Sequence, residues 1–260
     1  MCLLIFAHRA CSDLPLVVSA NRDEFHGRAT APARFWQEHP QLLAGRDLEQ
    51  GGTWMGVTRA GRFAAITNYR DPSRTAPAPR SRGELPLDYL VGDRDPRDHL
   101  HDLVARAGDY AGFNLLVGDL DSLWYLNNSQ PDGAGGPRRL EPGIYGLSNA
   151  LLDTPWPKVE LGKARLRELL AGAKPGHDSL LEVVADRRLA NPEELHRQGM
   201  EGGMEQVLSA QFIVTESYGT RSSTSLWLDS TGSAEWRELS FDSPGRLKGQ
   251  VEERFTLDRH

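Results

Sequence analysis

Residues 2–24 read CLLIFAHRACSDLPLVVSANRDE, two apolar runs at 2–9 and 16–22 separated by Ser12, Asp13, Leu14 and Pro15. Apolar runs of this length bounded by turn-forming residues predict a β-hairpin. Antiparallel partners keep a constant sum of residue numbers, so pairing Arg9 with Leu16 sets Cys2 opposite Asp23. A slip of one residue still leaves Arg22, Asp23 or Glu24 beside Cys2. The hairpin therefore carries a thiol to the charged tetrad Asn21, Arg22, Asp23, Glu24.

Cys2 directly follows the initiator methionine. Removal of Met1, expected ahead of a residue as small as cysteine, leaves a thiol and a free α-amine on one residue. That is a nucleophile carrying its own base.

Outward from the hairpin, residues 53–59 and 62–68 predict a second strand pair around the Ala60, Gly61 turn, with Gly61 supplying a positive φ. The sum rule sets Asn68 opposite Thr53, with Gly51 and Gly52 bordering Asn68. Residues 24–52 read as a Pro- and Gly-punctuated loop. Residues 69–83, rich in Pro, Ser and Arg, read as an exposed loop whose Arg70, Arg74, Arg80 and Arg82 could draw an anionic substrate to a site near Asn68. Helices are expected at 85–91 and 96–107, then a hairpin of 113–118 with 123–127. A Gly-rich bridge at 131–137 leads to a strand ending at 146–149. Thr154 and Pro155 mark a helix start, with Val159, Leu166, Leu169 and Leu170 on one face. A second helix covers 180–185, and strands return at 212–218, 223–229 and 234–241. No repeat and no internal boundary is evident, which predicts a single domain over residues 1–260.

A net charge of −6 with no basic block argues against nucleic acid and leaves small molecules as the expected partners. The two cysteines, nine residues apart, are too few for a disulfide framework, and the first apolar stretch is too short for a signal peptide or a membrane span. A cytoplasmic protein is expected. His99 and His101 lack metal-binding spacing, and no zinc motif is present, so neither a metal nor a cofactor is expected.

The tetrad after an N-terminal Cys2 resembles the NRDE family, relatives of the transport and Golgi organisation protein 2. The segments GGTWMG (51–56), TNYR (67–70), GFNL (112–115), GLSN (146–149) followed by Pro155 and Trp156, and YGTRSST (218–224) also match that pattern. The family in turn looks like the cysteine branch of the N-terminal nucleophile hydrolases, which includes penicillin V acylase and bile salt hydrolase. The resemblance implies an α+β fold of four αββα layers, two mainly antiparallel sheets flanked by helices. It also implies catalytic roles for Cys2, Arg22, Asp23, Asn149 and Arg221. In those acylases two residues separate the Arg from the Asp, whereas here they are adjacent.

Hydrolysis of an amide or related acyl bond needs a thiolate, a proton donor for the leaving group and donors for the oxyanion. The Cys2 α-amine, with a reference pKa of about 8, can serve the first two needs. Asp23 would orient its ammonium form and Arg22 would favour the thiolate. Asn149 offers an oxyanion donor, and Arg221 a hold on the intermediate or on a substrate carboxylate. Asn21, Glu24, Gly51, Gly52, Asn68 and Arg70 are the expected substrate-binding residues. The resemblance carries a rival reading, a non-catalytic carrier of haem or acyl lipid, including acyl-coenzyme A, on the same scaffold.

Overall fold

The computed structural model describes residues 2–69, 78–129, 136–172, 174–197 and 204–258. Its strands are β1 (Cys2–Cys11), β2 (Leu14–Phe25), β3 (Thr30–Phe35), β4 (Leu42–Asp47), β5 (Met55–Thr58), β6 (Phe63–Asn68), β7 (Phe113–Gly118), β8 (Leu123–Asn127), β9 (Arg138–Arg139), β10 (Gly143–Leu147), β11 (Tyr218–Leu228), β12 (Ser233–Phe241) and β13 (Leu247–Thr256). The helices that pack on them are α1 (Glu84–Val91), α2 (Pro96–Val104), α3 (Pro157–Leu170) and α4 (His177–Glu182), with short α5 (Pro192–Arg197) and α6 (Met204–Val207) beyond.

One sheet runs β10-β1-β2-β11-β12-β13 and the other runs β3 to β9 in chain order, with every described pairing antiparallel. Strand alternation sorts the side chains into three cores. Leu4 and Phe6 of β1 meet Val57 and Leu116 between the sheets, while Leu3, Ile5 and Ala7 turn outward under Val159 and Leu166 of α3. Leu85, Leu90 and Leu100 of α1 and α2 cover the far face of the second sheet through Ala64 and Leu115. The layers are helix, sheet, sheet, helix, and the expected αββα class is the observed one.

Because β1 is buried on both faces, its sequence reads as one apolar run with no alternation. α3 comes down on it through two glycines. A Cβ on Gly162 would lie 2.6 Å from Ile5, and one on Gly146 would lie 2.4 Å from Val159. Neither distance leaves room for a methyl group, so close packing on these glycines sets the height of α3 and of its first turn above Cys2 and Asp23.

Residues 24–52 are not a loop throughout, since they hold β3 and β4. Pro32 sits on β3, an edge strand bulged between Ala31 and Arg34, a place that tolerates a missing amide. Residues 212–217 form no strand, apart from a bridge of Val214 to Gly219. β13, which the charged sequence concealed, closes the first sheet. Arg70, Arg74 and residues 131–135 of the Gly-rich bridge lie outside the described residues.

Candidate active site

At the hairpin turn Cys11 pairs with Leu14, a sum of 25, but from His8 to Cys2 the sum is 24. A bulge between His8 and Cys11, with Arg9 at φ 47°, absorbs the difference. Cys2 therefore faces Arg22 across the ladder, and Asp23 is one place further on. This corrects the expected Cys2–Asp23 pair. Arg22 shares the inter-sheet face with Cys2, while Asp23, like Asn21, turns toward α3.

Cys2, Arg22 and Asp23 line the floor of a cleft of about 820 Å³ between the sheet ends. Burial pushes the Cys2 thiol above its usual range, while the chain's terminal ammonium, Arg22 and the Asp23 backbone amide act the other way. Ser148 donates to the Cys2 carbonyl at 3.0 Å and fixes the strand beneath the thiol. Asp23 is buried, and its Oδ1 accepts from Thr220 at 2.7 Å. Burial raises its pKa to about 6 against the opposing pull of the terminal ammonium and Lys158.

The other expected residues separate into three groups. Glu24, Asn68 and Arg221 line the same cleft. Glu24 stands 3.8 Å from Arg22, and Arg221 donates to the carbonyls of Phe25 and Arg28 at 2.7 and 3.1 Å. Asn149 is buried just behind, one amide proton given to the Asn68 carbonyl at 2.8 Å, so a single N–H remains for an oxyanion. Asn21 does not reach the cleft. It donates to the carbonyls of Val184 and Gln211, both at 2.8 Å, and accepts from Ser223, which makes it a fastener of the helical layer. Gly51 and Gly52 are also displaced. The 53–68 register is one residue off the expected sum, with Met55 opposite Ala65, and Gly52 packs against the backbone of Gly83. Their part is to seat the segment bearing Arg82, which lines the cleft and donates to the Gly112 carbonyl at 3.0 Å.

Sequence reasoning missed Lys158. It sits in the first turn of α3, 3% exposed, with Nζ on the Leu208 carbonyl at 2.8 Å. A lysine opposes the helix dipole there, a signal that could have marked it. Burial pushes its ammonium down to about 8, while Asp23 and Cys2 pull it back up. The charge is thus a cost below pH 8 that fades as pH rises toward 10.5. Lys158→Met is expected to stabilise the fold at pH 7 by about 1–3 kcal/mol. It should also move the acid limb of Cys2 reactivity to higher pH, because a cation favouring ionised Asp23 is lost. Stabilisation in a denaturant titration without movement of that limb would detach Lys158 from the site.

Residues 1–243 match the family model described as Transport and Golgi organisation 2. The Transport and Golgi organization 2 homolog of Mus musculus is 35% identical over 243 residues, and the Transport and Golgi organization protein 2 homolog of Homo sapiens 36% over 242, each alignment covering 86% of both chains. The Drosophila melanogaster protein is 24% identical over 263 residues, 88% of each chain. Among solved structures, the C2A mutant of conjugated bile acid hydrolase from Clostridium perfringens superposes with a TM-score of 0.48 at 8% identity, over 100% of this chain and 97% of that one. An N-acylethanolamine-hydrolyzing acid amidase ortholog from Caenorhabditis elegans gives 0.45 at 9%, over 70% and 85%.

Proposed function

The chain belongs to the Transport and Golgi organisation 2 family, and from that membership and the geometry of the cleft we propose that it is a cysteine N-terminal nucleophile hydrolase acting on an amide or related acyl bond of a small molecule. The observation that carries the reading is the position of Cys2. The residue next to the initiator begins the central hairpin and lines a cleft, with Arg22 across the ladder and the Asp23 amide on its sulfur.

With Met1 gone, the α-amine takes the Sγ proton and the thiolate attacks the carbonyl carbon. Asn149, through its remaining N–H, and the Asn68 amide receive the oxyanion. The amine's proton passes to the leaving group, and a water activated by the same amine frees the acyl product. Asp23 holds the ammonium form and Arg22 favours the thiolate. Arg28, Arg46 and Arg80 of the lining are paired with carboxylates, whereas Arg82, Arg221 and Lys248 have no carboxylate partner among the described residues, which favours an anionic substrate.

The test is a panel of cysteine-directed acyl probes on the wild type and on Cys2→Ala. Labelling should fall on Cys2 in preference to Cys11, and equal reactivity of the two thiols would remove the nucleophile. The carrier reading draws on a different observation, that burial disfavours the thiolate and that Arg221 is engaged by protein carbonyls. Among the described residues no histidine or methionine lines the cleft, which leaves Cys2 to ligate haem. Haem titration followed by its absorption band decides between the two readings. Tight binding by the wild type that is lost in Cys2→Ala, with no acyl labelling of wild-type Cys2, would favour a carrier.

A further inference from the structure

We propose that Glu238 is a specificity-determining residue of the cleft, accepting a hydrogen bond from a neutral donor, a hydroxyl or an amide N–H, on the distal part of a bound acyl group. The identity of the chain in the cleft rests on the acyl-hydrolase reading above.

Glu238 lies on β12, is 3% exposed, and lines the cleft. It shares the inter-sheet face with the core residues Ala234 and Trp236, four and two places before it. Its Oε1 accepts the Ala33 amide at 2.9 Å, a donor made available where β3 bulges. No described residue donates to Oε2. Beside it the wall is Gly45, where an added Cβ would stand 3.8 Å from that oxygen. Thr224, paired directly across with Glu238, also holds a buried hydroxyl with no hydrogen-bond partner among the described residues. Oε2, unlike the Thr224 hydroxyl, is not sealed in, so a donor in the cleft can reach it. Burial raises the Glu238 pKa to about 7, against the Ala33 amide and Arg22.

A fastener between sheets would need only Oε1. The second oxygen faces cleft space, and the surplus of cations there disfavours an ammonium ligand. A neutral donor carries no such penalty.

The ladders give the distance from the thiol. Cys2, Arg22, Ser222 and Ser240 form one row across four strands, and Leu4, Ala20, Thr224 and Glu238 form the row two residues along. At the usual strand spacing, Glu238 lies about 15 Å from Cys2, close to the extended length of a twelve-carbon chain. A fatty acid with its carboxylate near Cys2 would thus bring its ω end to Glu238.

The experiment uses Cys2→Ala protein, which cannot turn over, titrated calorimetrically at pH 9, where Glu238 is ionised and only accepts, with dodecanoate and with its (ω−1)-hydroxy and (ω−1)-oxo derivatives. The hydroxy acid should bind about tenfold tighter than dodecanoate, and the oxo acid no tighter. Adding Glu238→Gln keeps the carbonyl on Ala33 and turns an NH₂ into the cleft, so the oxo acid should now gain several-fold. A purely structural Glu238 would not produce that inversion. Adding Glu238→Leu should bring all three affinities together, and if that variant does not fold, the Gln variant decides. Equal binding of hydroxy and plain acids with Glu238 present, an unchanged preference without it, or no binding of any of the three overturns the assignment. Acylation of wild-type Cys2 by dodecanoyl thioester is read separately. Its absence with the preference intact removes the hydrolase reading and leaves Glu238 in place.

Discussion

Protein trimmed to begin at Cys2 is expected to acylate that thiol roughly 10²–10⁴-fold faster than the same chain with one extra residue ahead of it. The two forms differ only at the end of β1. With a residue ahead of Cys2, its nitrogen is a peptide amide and has no basicity, while burial holds the thiol above its usual range. Any terminal amine is then displaced by a whole residue. With Cys2 first, the amine is covalently held about 3 Å from Sγ and deprotonates near neutrality. Two leaders, one cleaved to expose Cys2 and one cleaved to leave a glycine before it, provide the pair. Intact mass identifies each, and the rate of labelling by one thioester probe is the measurement. Equal rates would mean that the amine does no chemistry, and Cys2 would then be an ordinary buried thiol at the base of a binding cleft.

The meeting of Cys2 with Arg22 and Asp23 was legible because it is local. A hairpin of twenty-four residues fixes it by counting, and the one-residue error came from a bulge at His8 to Cys11 that no composition rule announces. The paired strands of β5 to β8 were legible for the same reason, as short connections around turn residues. β3 was hidden by Pro32, which breaks the usual strand pattern but is tolerated at an edge, and β13 by charged residues on its open side. Lys158 and Glu238 were overlooked because each takes its place through long-range packing, α3 onto β1 setting Lys158 near Asp23 and Cys2, and β12 beside β11 setting Glu238 in the cleft wall. A signal existed for Glu238, since it stands in phase with Ala234 and Trp236, and an acid in step with core residues marks a buried site. Asn21 misled because a tetrad contiguous in sequence is split by strand alternation. Arg22 faces the cleft side of the sheet, and Asn21 the helices.

Asp23→Asn is expected to slow acylation of Cys2 at least about a hundredfold while making the folded chain more stable at neutral pH. The loss follows from position, since a neutral amide cannot hold the ammonium form of the terminal amine. In the wild type, reactivity should rise with pH through about 6, where Asp23 ionises, and that inflection should vanish in the variant. The gain follows from linkage. The folded pKa of about 6 stands above the ordinary 3.8, so between these values the folded state holds the proton more tightly and stability falls as pH rises. The asparagine variant escapes that fall, which amounts to up to about 3 kcal/mol. Glu238, raised to about 7, contributes a slope of the same sign, while His99 and His177, both lowered by burial to about 4, contribute the opposite one. Against this near-balance, removing Asp23 should tilt the stability profile upward with pH. Denaturant titrations at pH 4.5 and 7.5 test it. The variant's advantage must be larger at 7.5, and an advantage equal at both values would mean that burial of Asp23 carries no electrostatic cost. Slower chemistry joined to a tighter fold is the signature of a carboxylate retained for a reaction, whereas a carboxylate retained for architecture would lose both together.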